Sequence, residues 1–189
     1  MGEALAKRHY TVAEYLEILK DSTERLAFHD GEIFAMAGGS VNHARLSGKI
    51  GSLLGSALLK TKCSYYSSDL MIGYSANNYV FADATVICGN PEVWDENKNA
   101  IKNPTLIVEV LSPDTEEYDR GLKFYKYRSL ETLKEYVLVS QNRPWVEVFF
   151  KREGIDIWQY TAYYEFSETI KLQSLDIEVS MQELYDGIF

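Results

Sequence analysis

Residues 105–111, TLIVEVL, form the most apolar stretch of the chain. Leu106, Ile107, Val108, Val110 and Leu111 surround a single Glu109, and Ser112-Pro113 closes the run. A short, β-branched run of this kind predicts a strand buried on both faces. Other periods mark the remaining elements. Thr11 and Glu14 form a capping box, and Val12, Tyr15, Leu16 and Leu19 follow at helical spacing. A hairpin is expected at His29-Asp30-Gly31, between Phe28 and the run Ile33–Met36. Gly38-Gly39-Ser40 opens a helix to about Leu59, with Leu46, Ile50, Leu53, Leu54 and Ala57 as its apolar stripe and His43 on the core-facing side of its first turn. Strands are predicted near 63–74 and 79–88, joined at Asn77-Asn78; in the second, Tyr79, Phe81, Asp83, Thr85 and Ile87 share one face. Ser112-Pro113 starts a helix to about residue 130. Strands follow at 135–140, 144–151, near 155–164 and near 170–178, and Ser180 with Glu183 caps a last short helix. The order predicts an α/β protein, a mixed α+β layout around one sheet. With no repeat and no linker-like stretch, residues 1–189 read as one domain.

Composition changes this picture little. The 189 residues are 46% hydrophobic and 25% charged, which suits a globular domain with a sizeable core. The net charge of -9 means that the overall field does not attract nucleic acid, so any such binding must use a local basic patch or a bound metal. Cys63 and Cys88 are the only cysteines, too few for a zinc cage or a disulfide framework, and read as core residues in a reducing, cytoplasmic setting. No run approaches membrane-spanning length and the N-terminus lacks a signal-like apolar segment, so a soluble protein without a membrane partner is expected.

Glu109 changes it more. An ionised carboxylate in such a strand costs several kcal/mol unless a cation, a metal or a proton compensates it. Asp83 lies on the preceding strand and can share the sheet face of Glu109. Asp119, Lys123 and Tyr127 then recur at i, i+4, i+8 along the next helix. Two carboxylates with a nearby lysine suit magnesium-dependent phosphodiester hydrolysis: the acids hold a hard cation, and the lysine steadies the attacking water or the developing charge. Blander readings stand beside these. Glu109 can be half of a structural ion pair, Lys123 an exposed partner of Asp119, Glu32 a solvent-facing hairpin residue, and His43 a helix cap. The mixed basic and aromatic run Lys123–Arg128 can be an ordinary amphipathic face.

The spans DGEIFAMAGGSVNHARL, YVFADATVIC, PTLIVEVLSPDT, DRGLKFYKYRSL and KEYVLVS together resemble the Uma-type restriction endonuclease family of the PD-(D/E)XK nucleases, from about residue 10 to 160. The resemblance implies a restriction-endonuclease-like core with flanking helices and an added β-hairpin region. It implies Asp83, Glu109 and the Val110 carbonyl as ligands of Mg²⁺ or Mn²⁺, Lys123 as the catalytic lysine, and Glu32 and His43 as pocket residues. It also implies DNA as substrate and a homodimer. Ala82 stands where the motif has proline, and Leu111 where many members carry lysine. The alternatives are a catalytically silent binding or assembly module of nuclease fold, and a metal hydrolase of a small phosphorylated molecule.

Overall fold

The computed structural model describes residues 9–36 and 38–189. After Thr11, whose hydroxyl and Glu14 complete the capping box, come α1 (Val12–Asp21), β1 (Leu26–His29) and β2 (Glu32–Ala35). The β1–β2 turn places Asp30 at φ 48° and Gly31 at φ 89°. Two successive left-handed residues are what a two-residue hairpin requires. Helix α2 (Val41–Leu58) follows, capped by the Ser40 hydroxyl.

The two predicted strands at 63–74 and 79–88 are four: β3 (Cys63–Ser67), β4 (Met71–Ser75), β5 (Asn78–Phe81) and β6 (Ala84–Cys88). They belong to different sheets. Among the described residues β4 and β5 join a five-stranded sheet in the order β2-β1-β5-β4-β7, with β7 at Ala100–Ile101. β3 and β6 join a six-stranded sheet with β8 (Leu106–Leu111), β9 (Glu135–Ser140), β10 (Val146–Lys151) and β11 (Trp158–Tyr163), in the order β11-β10-β9-β8-β6-β3. The single sheet expected from the pattern is thus two large sheets, with a separate two-stranded one near the C-terminus. The chain crosses between them at Ala82-Asp83, where alternation continues but pairing changes. β8 runs parallel to β9 and antiparallel to β6, which makes it central.

Even-numbered β8 residues join Leu46, Ile50, Leu54 and Leu58 of α2 in one core; Ile107 and Leu111 face a second core with Tyr127, Leu130 and Tyr136. Leu58 takes the place expected of Ala57, which is exposed. The helix after Ser112 is interrupted: α3 (Glu116–Tyr118), a π-helical turn (Asp119–Lys123) and α4 (Phe124–Tyr127). The last predicted strand is a hairpin, β12 (Thr169–Leu172) and β13 (Ile177–Ser180), which leads into α5 (Met181–Tyr185). Cys63 and Cys88 sit directly opposite each other on β3 and β6 and form a disulfide. They are therefore not separate core thiols, and cysteine usage no longer points to a reducing compartment. No helix among the described residues is long and apolar enough to cross a membrane.

Candidate active site

Glu109 is buried at 3% exposure in the middle of β8. Its Oε1 meets the Lys123 ammonium at 2.8 Å and accepts the Tyr127 hydroxyl at 3.1 Å. Burial, with Asp119 and Asp83 adding to it, pushes the Glu109 carboxyl up to about 8 against the pull of Lys123. Lys123 is itself buried and lies 3.3 Å from Asp119 as well. Burial alone would lower its ammonium; Glu109 and Asp119 hold it above its ordinary value, so it stays charged. The stripe Asp119–Lys123–Tyr127 thus shares one face, as the spacing predicts, and that face meets the sheet at Glu109. The π turn adds one residue per turn there, and such turns recur at functional sites.

Asp83 stands at the crossing between the sheets, one residue before β6. The β6–β8 register pairs Ala84 with Val108, and one step further places Asp83 opposite Glu109 on the same face. Beyond that pair the β8 edge has no ladder partner in β6, and the Val110 N–H donates to Asp83 Oδ2 at 2.7 Å. In an extended strand the N–H and C=O of one residue point the same way, so the Val110 carbonyl lies along the Asp83 edge. His43 Nε2 reaches the same Oδ2 at 3.2 Å. Burial works to raise the Asp83 carboxyl, but His43, Lys123 and the Val110 N–H carry it below its ordinary value. The same hydrogen bond raises the His43 imidazole against its burial.

Two local features place His43. Ser40 caps α2 and also donates to the Gln141 side chain at the end of β9, which ties the helix start to the sheet. Gly39 leaves room for the ring: a Cβ there would lie 2.5 Å from His43 Nδ1. Glu32 is exposed on β2, and among the described residues no hydrogen bond or ion pair joins it to Asp83 or Glu109. The structure therefore brings together Asp83, Glu109, Val110, Lys123 and His43, but not Glu32. It also adds a group that no sequence signal marked. His29 bridges the hydroxyls of Tyr74 and Tyr118, and Tyr118 immediately precedes the π turn. In sequence His29 reads only as a residue beside a turn.

Among the described residues no hydrogen bond engages Asp83 Oδ1 or Glu109 Oε2, and no cluster of three or more acidic, histidine or cysteine side chains could cage a metal. Two carboxylate oxygens and one carbonyl make a partial, all-oxygen donor set. That set fits Mg²⁺ or Mn²⁺, which keep several waters and share their sphere with phosphate. It does not fit a metal that needs a full protein cage.

The profile of the Uma2 family, "Putative restriction endonuclease", matches residues 12–182. The chain belongs to this family. Among its relatives is the Synechocystis protein slr1290, 34% identical over 176 residues, covering 93% of this chain and 90% of that protein. A second Synechocystis protein, sll1609, is 36% identical over 132 residues, covering 69% of this chain and 75% of the other. A crystal structure described as "a putative nuclease belonging to DUF820", from Anabaena variabilis, superposes with a TM-score of 0.75 over 95% of this chain and 99% of that one, at 13% identity. The mixed α/β architecture is therefore the restriction-endonuclease-like fold, and Uma2 membership assigns the chain to a nuclease family.

Proposed function

We propose that this Uma2 protein is a Mg²⁺- or Mn²⁺-dependent endonuclease that hydrolyses phosphodiester bonds in DNA. The observation that carries the reading is the buried Lys123 ammonium, 2.8 Å from Glu109, on the strand beside Asp83. Asp83, Glu109 and the Val110 carbonyl would hold the cation through the oxygens left uncommitted. A divalent ion bound there polarises the phosphate and lowers the pKa of a coordinated water. Lys123 remains cationic and fixed by two carboxylates, so its Nζ orients the attacking water or meets the charge that develops on the phosphate. Tyr127 holds one Glu109 oxygen and leaves the other for the cation. His43 and the Val110 N–H do the same for Asp83. A silent binding module would leave Lys123 in solvent, paired with Asp119 alone, and its burial against Glu109 speaks for chemistry. Cutting both strands of a duplex needs two such sites, so the reading calls for a homodimer.

A supercoiled-plasmid assay in Mg²⁺ or Mn²⁺ tests this. The wild type is expected to nick or linearise the plasmid, and Glu109→Ala to leave it intact. Equal cleavage by both, or none by either, contradicts the proposal.

A further inference from the structure

His29 is buried at the end of β1, with both ring nitrogens in hydrogen bonds. Nδ1 lies 2.7 Å from the Tyr74 hydroxyl and Nε2 lies 2.9 Å from the Tyr118 hydroxyl. The cations Lys126 and Lys123 face this imidazole, opposed by Asp30; with burial as the larger cause, they push it down to about 3, so it is neutral. Counting hydrogens then fixes what the chain can do. Two phenols and one neutral imidazole carry three polar hydrogens, and a neutral imidazole donates once and accepts once. Two hydrogens fill the two bonds. The third is a phenol O–H that points out of the chain, at Tyr118 or at Tyr74.

The surroundings favour Tyr118. The Lys126 ammonium lies over the face of the Tyr74 ring, 5.6 Å from its centroid, so Tyr74 is already engaged within the fold. Asp30, also near Tyr74, is held by the Asn78 side chain. Tyr118 instead feels Glu109 and Asp119 as well as Lys123. The chain itself brings it there: Tyr118 immediately precedes the π turn that carries Asp119 and Lys123.

We propose that Tyr118 donates a hydrogen bond to a phosphate oxygen of the nucleic-acid strand held beside Lys123, and that His29 and Tyr74 are positioning residues that keep its hydroxyl turned outward. Tyr74 donates to His29 Nδ1, and His29 Nε2–H donates to the Tyr118 oxygen. That oxygen's own hydrogen is then available only outward. The inference rests on the hydrolytic reading above.

It has a consequence that a structural role does not share. Removing the Tyr74 hydroxyl removes the donor that fixes the tautomer of His29, so the imidazole divides between its two tautomers and Tyr118 donates inward in part of the molecules. Tyr74→Phe, one imidazole away from the site, should therefore lower turnover in the same direction as Tyr118→Phe, by less. The experiment measures initial cleavage rates of an oligonucleotide duplex in Mg²⁺ and in Mn²⁺ for wild type, Tyr118→Phe and Tyr74→Phe, per folded molecule as fixed by each variant's melting curve. The expected result is a fall in kcat of about tenfold in Tyr118→Phe, the ratio given by ~1.4 kcal/mol of lost transition-state bonding, and of about twofold in Tyr74→Phe, with KM within about twofold of wild type in both. A Tyr118→Phe or a Tyr74→Phe that keeps the wild-type kcat overturns the inference and leaves the hydrolytic reading intact. A wild type that cuts nothing in either metal removes both.

Discussion

Two glutamates lie buried on adjacent parallel strands, Glu109 on β8 and Glu135 on β9, and they do different work. Glu135 Oε1 accepts the Gln173 N–H at 3.0 Å, and Oε2 accepts the Ser174 N–H at 3.1 Å and the Ser174 hydroxyl at 2.6 Å. Both oxygens are satisfied by neutral donors of the β12–β13 turn, so the carboxylate is a clamp. Burial still raises it, and those three bonds oppose the shift. Glu109 has one oxygen tied to Lys123 and Tyr127 and the other uncommitted. Burial of a carboxylate therefore does not by itself mark a site. A buried carboxylate with one oxygen held and one left over does. Glu147 obeys the same rule on the structural side, with Tyr160 on one oxygen and Arg120 on the other.

The largest expected effect is on turnover. Glu109→Gln should reduce plasmid cleavage to background. It should change stability in EDTA by less than about 1 kcal/mol, the scale of one ordinary hydrogen bond, because Lys123 keeps Asp119 and the amide oxygen can still accept from Tyr127. A melting temperature far below wild type would make Glu109 structural, like Glu135, and collapse the contrast.

Lys123→Met comes next. It leaves Asp119 buried without its cation and Glu109 without its ammonium contact, and breaking such a buried pair costs about 3–5 kcal/mol. For a chain of this size that lowers the melting temperature by roughly 10 °C in EDTA. Mg²⁺ should restore part of the loss, because it supplies the missing positive charge. A variant as stable as wild type in EDTA would show that Lys123 does not compensate the acids.

Glu135→Gln should do the reverse of Glu109→Gln. Its amide nitrogen would face N–H and O–H donors, costing about 1–3 kcal/mol, while cleavage per folded molecule stays at the wild-type rate. Lost cleavage in well-folded Glu135→Gln would break the comparison from the other side.

A pH slope tests the raised carboxyl itself. Glu109 rises from 4.5 to about 8 on folding, so between those values the folded protein binds more protons than the unfolded one. Stability in EDTA therefore falls as pH rises across that window. His43, raised above 6.5, contributes with the same sign, whereas Asp83, lowered below 3.8, contributes stability that is lost only at acid pH. Denaturant melts from pH 5 to 8 should show the decline in wild type and a flatter line in Glu109→Gln. A flat wild-type line would contradict the raised carboxyl.

Much of the site is legible in sequence because its parts are local anomalies. Glu109 interrupts an apolar run, Lys123 sits four residues from Asp119 and four from Tyr127, and Ser40 marks the start of the helix that carries His43. What sequence hides is long-range pairing. The break at Ala82-Asp83 leaves the period of two undisturbed while the partner strand changes. The π turn leaves the helical pattern readable. Glu135 resembles any polar strand start until Gln173 and Ser174 are seen around it. The Cys63–Cys88 bond depends on the β3–β6 register, which no local pattern specifies.

The most direct measurement of the central claim is Mn²⁺ binding by titration calorimetry to wild type, Asp83→Asn, Glu109→Gln and Glu135→Gln. Wild type and Glu135→Gln should bind one ion per chain with similar affinity, and Asp83→Asn and Glu109→Gln should lose that binding. A wild type that binds no ion, or a Glu109→Gln that binds it as wild type does, would contradict the account.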